Sequence, residues 1–172
     1  MVDIVNLAGK YGIYSMLEFH QDIASEKFCG DGIPAWLVPE SLTKTFPKPI
    51  DRHHFKYNAS GLPNYDDCLK HNWGYYYFSY DVSYTFESLY TNKHGLRDKF
   101  EQYWIQIAKT FANNEYVIAY ELINEPWAGS IWKNPISLIP SMAERIHLQN
   151  FYDKVSAAIR QFDKNHPICF EP

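Results

Sequence analysis

Apolar residues along the chain fall into blocks of strand length and helix length, separated by polar stretches. VDIVNLAGKYG, residues 2–12, reads as the end of an amphipathic helix, with Val5 and Ala8 apolar and Gly12 near a helix stop. IYSMLEF, Ile13–Phe19, is an apolar run of strand length. In GLRDKFEQYWIQIAKTFANN, Leu96, Phe100, Tyr103, Trp104, Ile107, Ala108 and Phe111 recur at helical spacing. VIAYELI, Val117–Ile123, predicts a second strand. Leu148, Phe151, Tyr152, Val155, Ile159 and Phe162 mark a further helix ending before His166-Pro167, and ICFEP predicts a third strand.

Strands alternating with helices predict right-handed β-α-β crossovers and a parallel sheet. Three strands leave two open edges, and the last predicted strand has no helix after it. The expectation is therefore an incomplete segment of a larger α/β protein, most simply a barrel. Between about residues 21 and 92 lies a long stretch rich in Pro, Gly, Asp, Asn and Tyr. It carries no sustained period, although IPAWLV and VSYTFESLY predict short helical pieces. Excursions of that length are usually functional loops or lids.

Composition narrows the functional classes. Aromatic residues make up 17% of the chain, enough for a bulky core or for stacking platforms. The net charge is −4 with no clustered basic run, which argues against a nucleic-acid partner. No apolar run approaches the roughly 20 residues of a membrane span. Met1 is followed by VDIVNLAGKYG, which has an acid, Asp3, where a signal peptide would have basic residues, so no signal peptide is visible. Cys29, Cys68 and Cys169 lack metal-ligand spacing. Cys29 and Cys68 read either as a disulfide, if the protein is secreted, or as free thiols. Cys169, in an apolar run, predicts a buried thiol. Asn58-Ala59-Ser60 is a glycosylation sequon in a predicted loop.

The chemistry gathers at strand ends. Side chains alternate along a strand, so Glu18, His20 and Asp22 share a face if the first strand extends that far. Glu121, Ile123 and Glu125 do the same in the second. Parallel α/β sheets carry active groups at the carboxyl ends of their strands. A core has no need of an amide and a carboxylate at Asn124 and Glu125; a glycosidase needs a proton donor there for the leaving oxygen. Asn124 would hydrogen-bond a sugar hydroxyl, and Pro126, lacking an N–H, would end the strand. Plainer readings stand beside these: Glu125 as a loop cap, His20 as a core histidine, Asp22 as a helix or turn cap, and Trp73, Tyr75, Tyr76 and Tyr77 of NWGYYYF as packing residues rather than ligand contacts. Glu121 lies ~13 Å from Glu125 along an extended strand. It reads, like Glu18, as an internal hydrogen-bonding or ion-pairing group.

MLEFHQD, AYELINEPWAG and ICFEP together resemble endoglycoceramidases and their close relatives in the cellulase-like glycoside hydrolase family 5. The resemblance runs over nearly the whole chain and is weakest in the long loop. It implies a (β/α)8 TIM barrel, of which residues 1–172 would form the part from the end of helix two through strand five. It makes Glu125 the general acid/base, Asn124 a sugar contact, His20 a wall of the glycone subsite and Asp22 part of the same substrate-facing motif. It implies retaining hydrolysis of the oligosaccharide–ceramide bond, with no metal or other cofactor. A secreted or lysosomal protein follows, with a glycosphingolipid or other β-glycoside as substrate and membrane-surface contact in the full-length form. Trp73 and Tyr75 would meet that amphipathic substrate. The family's nucleophile lies on a seventh strand, and Glu171 sits on the wrong strand to replace it. The segment alone is therefore expected to be inactive and poorly folded. A related β-glucosidase or endoglucanase, and a non-catalytic glycan- or glycolipid-binding protein, remain as alternatives.

Overall fold

A computed structural model describes residues 1–172. Its elements are α1 (Val2–Lys10), β1 (Ser15–Glu18), α2 (Tyr65–Cys68), α3 (Tyr80–Tyr90), α4 (Leu96–Phe111), β2 (Val117–Glu121), α5 (Gln149–Arg160) and β3 (Ile168–Cys169). The strands form one parallel sheet in the order β1-β2-β3. Three parallel strands joined through helices make an open arc, not a closed barrel.

The strands are shorter than their apolar runs. β1 begins at Ser15 because Ile13 and Tyr14 precede the ladder and are exposed. It ends at Glu18, and positive φ values at Ile23 (56°) and Ala24 (64°) turn the chain away soon afterwards. β2 stops at Glu121, although Leu122 still donates its N–H to Cys169 O at 3.1 Å. β3 keeps only Ile168 and Cys169, and Cys169 is half-buried, not the buried thiol expected.

α4 packs the face that its period predicts: Leu96, Phe100, Trp104, Ile107, Ala108 and Phe111 are buried. Trp104 also donates its indole N–H to Leu122 O at 3.1 Å, tying helix to strand end. α5 begins later than its apolar pattern, because Glu144–Leu148 form a turn of π-helix before it. Phe162 falls past the end of α5 and is exposed beneath the Lys109 ammonium, 4.4 Å from the ring centroid. IPAWLV is not helical; Leu37 N–H to Pro34 O closes a single turn there.

The long excursion has a core of its own. Phe28, Phe46, Phe55 and Tyr76 are buried with ring centroids 5.4–5.9 Å apart. Cys29 and Cys68 are joined in a disulfide across a separation of 39 residues. The Asp81 carboxylate accepts both the N–H and the hydroxyl of Thr45, at 2.7 and 2.9 Å. The aromatic excess thus serves packing first, and α3 is the regular helix that the VSYTFESLY pattern marks.

Below the sheet, the buried Asp163 carboxylate fastens the α5–β3 turn to β2. It accepts the Tyr120 hydroxyl and the His166 ring N–H, each at 2.6 Å, and the backbone N–H groups of Asn165 and His166. Burial alone would raise its pKa, but those four donors outweigh it and hold the group at about 2. A carboxyl with a depressed folded pKa contributes stability that is complete above its unfolded pKa and is lost as pH falls towards the folded value. Asp163→Asn is therefore expected to cost roughly 2 kcal/mol near neutrality. It should also flatten the acid limb between about pH 4 and pH 2. Urea melts of both proteins across that range check this; parallel acid limbs would exclude Asp163 as the titrating group.

Candidate active site

The polar residues predicted at the strand ends meet at one rim of the sheet. Glu18 and Glu121 pair in register as the last residues of their strands. Burial raises the pKa of Glu121 first, and the neighbouring Glu171 and Glu18 carboxylates raise it further. The ends of all three strands therefore present acidic groups to the same space.

His20 is exposed beyond Glu18, and its Nδ1 lies 3.1 Å from Glu18 Oε1. Its Nε2 lies 3.6 Å from Asp22 Oδ2. The hydrogen bond to Glu18 is the main cause of a raised His20 pKa; partial burial opposes it, and the charges of Glu18, Asp22 and Asp31 add to it. His20 is not a core histidine but a cation-prone group on an open wall. Asp22 is not the capping residue: its N–H donates to Asp31 Oδ1 at 2.8 Å, so Asp31 holds the turn. Donor atoms of His20, Asp22 and Asp31 lie within 4.8 Å of one another and are the side chains best placed to take a cation. They equally suit several sugar hydroxyls, which need alternating donors and acceptors.

Gln21, which motif reasoning passed over, organises the centre. It is 1% exposed. Its side-chain NH₂ donates to Asn124 O at 2.7 Å and Glu125 O at 3.0 Å, and its Oε1 accepts the Ala24 N–H at 3.0 Å. Asn124 reciprocates through Nδ2 to Gln21 O at 3.0 Å, and its N–H reaches Phe19 O at 3.1 Å. One amide N–H of Asn124 is thus committed to structure, leaving the remainder of that side chain for a ligand.

Glu125 is held from both sides. Its C=O accepts from Gln21, and its N–H donates to Glu171 Oε2 at 2.7 Å. Its φ is +37°, a conformation that non-glycine residues rarely adopt and that persists only where the surroundings impose it. Its own carboxylate is exposed and makes no hydrogen bond to the protein. Glu171 is in turn placed by the Tyr152 hydroxyl, which donates to Glu171 O at 2.6 Å. A free carboxyl on a fixed backbone at the carboxyl end of a parallel sheet is suited to moving a proton.

The aromatic candidates divide. Trp73 borders a cavity of about 350 Å³ together with Asp22, Ile23, Cys29, Gly30 and Asp31, and meets Tyr77 edge-on at 6.2 Å. Tyr75 is exposed and does not line that cavity. Tyr77, from the same NWGYYYF run, stacks on Trp127 at 5.3 Å and lies 3.4 Å from the Gln21 amide through its hydroxyl. It connects the excursion to the Gln21–Asn124 hydrogen bonds.

The sequence profile described as Cellulase (glycosyl hydrolase family 5) matches residues 1–172. The chain belongs to glycosyl hydrolase family 5. Within family 5 it is endoglycoceramidase-like. It is 44% identical over 168 residues to an endoglycoceramidase of Hydra vulgaris, covering 98% of this chain and 32% of that protein. It is 41% identical over 169 residues to an endoglycoceramidase of Cyanea nozakii, covering 98% and 34% respectively. The structure of endo-glycoceramidase II from Rhodococcus sp. superposes with a TM-score of 0.71 at 28% identity, over 99% of this chain and 34% of that one. The same Rhodococcus protein has also been solved as a ganglioside GM3 complex. The chain spans about a third of the length of these relatives.

Proposed function

We propose that the chain carries the acid/base half of a retaining glycoside hydrolase that separates oligosaccharide from ceramide. The observation that supports this best is the Glu125 carboxyl, free and exposed while its backbone is fixed by Gln21 and Glu171. In this reading the three strands are an arc of a (β/α)8 barrel, from the end of helix two through strand five. A nucleophilic carboxylate is then supplied from outside residues 1–172, about 5–5.5 Å from Glu125 as retention requires.

Protonated Glu125 gives its proton to the glycosidic oxygen as the sugar–oxygen bond breaks, so ceramide leaves as an alcohol rather than an alkoxide. The nucleophile takes the anomeric carbon. Glu125, now ionised, removes a proton from the water that releases the sugar. His20, Asp22 and the uncommitted part of the Asn124 amide bind hydroxyls of the sugar next to the reacting carbon. The fixed backbone of Glu125 serves orientation: a side chain whose Cα is already set loses less freedom on reaching the transition state.

Two features favour a lipid-linked substrate. One is the ganglioside complex of the Rhodococcus relative. The other is a set of exposed apolar residues in the segment after Glu125: Trp132, which donates its indole N–H to Phe78 O at 3.0 Å and meets Tyr80 edge-on at 5.0 Å, and Ile136, Leu138 and Ile139. Aromatic side chains with one polar tip suit a bilayer surface. No helix is long and apolar enough to cross a membrane. The Cys29–Cys68 disulfide favours a secreted or lysosomal protein, since such bonds persist in oxidising compartments. The family profile, described as Cellulase, favours a β-glucosidase or endoglucanase as the second reading.

Incubating the intact protein with a ganglioside and following products by mass spectrometry tests the proposal. Free ceramide and one intact oligosaccharide, released first as the β-anomer, are expected. Stepwise loss of single sugars, or cleavage only of glucan chains, would support the second reading. Ganglioside binding without turnover would leave a binding protein.

A further inference from the structure

We infer that Asn58 is an N-glycan attachment site, used while the chain passes through the secretory pathway. Asn58-Ala59-Ser60 is the only Asn-X-Ser/Thr triplet in the chain, and its middle residue is not proline. A triplet alone says little; the placement of this one carries the inference. Asn58, Ala59, Ser60 and Gly61 are all exposed. They form a tight turn closed by Gly61 N–H to Asn58 O at 3.0 Å and Asn58 N–H to Leu62 O at 2.9 Å.

Within that turn the two ends of the Asn58 amide have different tasks. Oδ1 accepts the N–H groups of Ser60 and Leu62, at 2.9 and 3.1 Å. Nδ2 donates to no group of the protein, so the atom that would carry the sugar is free and the atom that shapes the turn is not. The space around the turn is open: a Cβ built on Gly61, whose φ is +72°, meets no heavy atom within 4 Å.

The second, independent observation is the Cys29–Cys68 disulfide, which closes the loop containing Asn58. In a eukaryotic cell the oxidising compartment that forms such a bond is also the compartment that holds the glycosyl donor. The donor class is an oligosaccharide linked through pyrophosphate to a lipid. Nδ2 attacks its anomeric carbon, a C–N bond forms and the C–O bond to pyrophosphate breaks. The lipid pyrophosphate leaves with the electron pair, and the amide gives up one proton. The inference rests on the secretory route proposed above and is independent of catalysis.

The test is peptide mapping of the intact protein expressed through the secretory pathway of an animal cell, before and after peptide-N-glycosidase. The peptide holding Asn58 is expected only in glycosylated form before treatment, and with Asp at position 58 afterwards. The glycosidase-sensitive mobility shift should disappear in Asn58→Gln and Ser60→Ala and persist in Ser60→Thr. Recovery of that peptide unmodified from secreted, disulfide-bonded protein overturns the inference while leaving the secretory reading intact. Recovery of the protein only from the cytosol, with Asn58 unmodified, overturns both. The wild-type peptide decides the matter even if a variant fails to fold, and no outcome depends on ganglioside turnover.

Discussion

Glu125→Gln in the intact protein is expected to lower kcat on a glycosphingolipid by about 10²- to 10⁴-fold, the range for a single acid/base group. The substitution keeps the size of the side chain. It also leaves the two backbone hydrogen bonds that hold the residue, so the fold and the φ of +37° are expected to survive. The diagnostic is the leaving group. In the proposed reaction the ceramide alkoxide is a poor leaving group and needs the proton; an activated aryl group does not, so formation of its glycosyl-enzyme should be nearly unaffected. The second step, which needs the ionised carboxylate as base, should slow for both substrates. It should be rescued by azide, an anionic nucleophile that needs no deprotonation. An equal fall on ceramide and aryl substrates, with no azide rescue, would remove Glu125 from the role of proton donor.

Gln21→Glu should produce the second-largest effect, and the reason is geometric. The side-chain nitrogen of Gln21 is a donor placed 2.7 Å from Asn124 O and 3.0 Å from Glu125 O. A carboxylate of the same shape puts an acceptor against two acceptors in a position that is 1% exposed. Leaving both carbonyls unsatisfied costs roughly 2–4 kcal/mol. That cost should appear twice: as a lower melting temperature, and as a fall in kcat beyond what the folded fraction explains, because the Glu125 backbone loses one of its two anchors. Raising kcat by lowering pH, which protonates the new carboxyl and restores one donor, would be the signature of this mechanism. A variant with unchanged melting and unchanged kcat would show that the clamp is dispensable.

These two residues were not equally visible beforehand. Glu125 stood out because an amide, a carboxylate and a proline interrupt an apolar run, and an interruption is legible in one dimension. Gln21 sits between His20 and Asp22 in a polar triplet, where nothing separates a buried amide from an exposed one. Its burial comes from partners 103 and 104 residues away. Asp31 is illegible for the same reason. The Trp73 and Tyr75 pair shows the limit from the other side: two neighbouring aromatics read alike, yet only Trp73 borders the cavity with Asp22.

Periodicity was informative where the cause is local. The α4 pattern describes its buried face because 3.6 residues per turn is a property of the backbone. The strand runs located β1 and β2 but overstated their ends, since a ladder stops where its neighbour's hydrogen bonds stop. The sequence alone thus determined the parallel order of strands and helices, the family-like motifs and the gathering of polar groups at one rim. Tertiary structure decided the Cys29–Cys68 bond, the core within the excursion, the Gln21–Asn124 clamp and the positive φ of Glu125. The physical reason is range. Helix and strand preferences are set by residues a few positions apart, whereas a hydrogen bond or disulfide between distant residues exists only once the chain has brought its partners together.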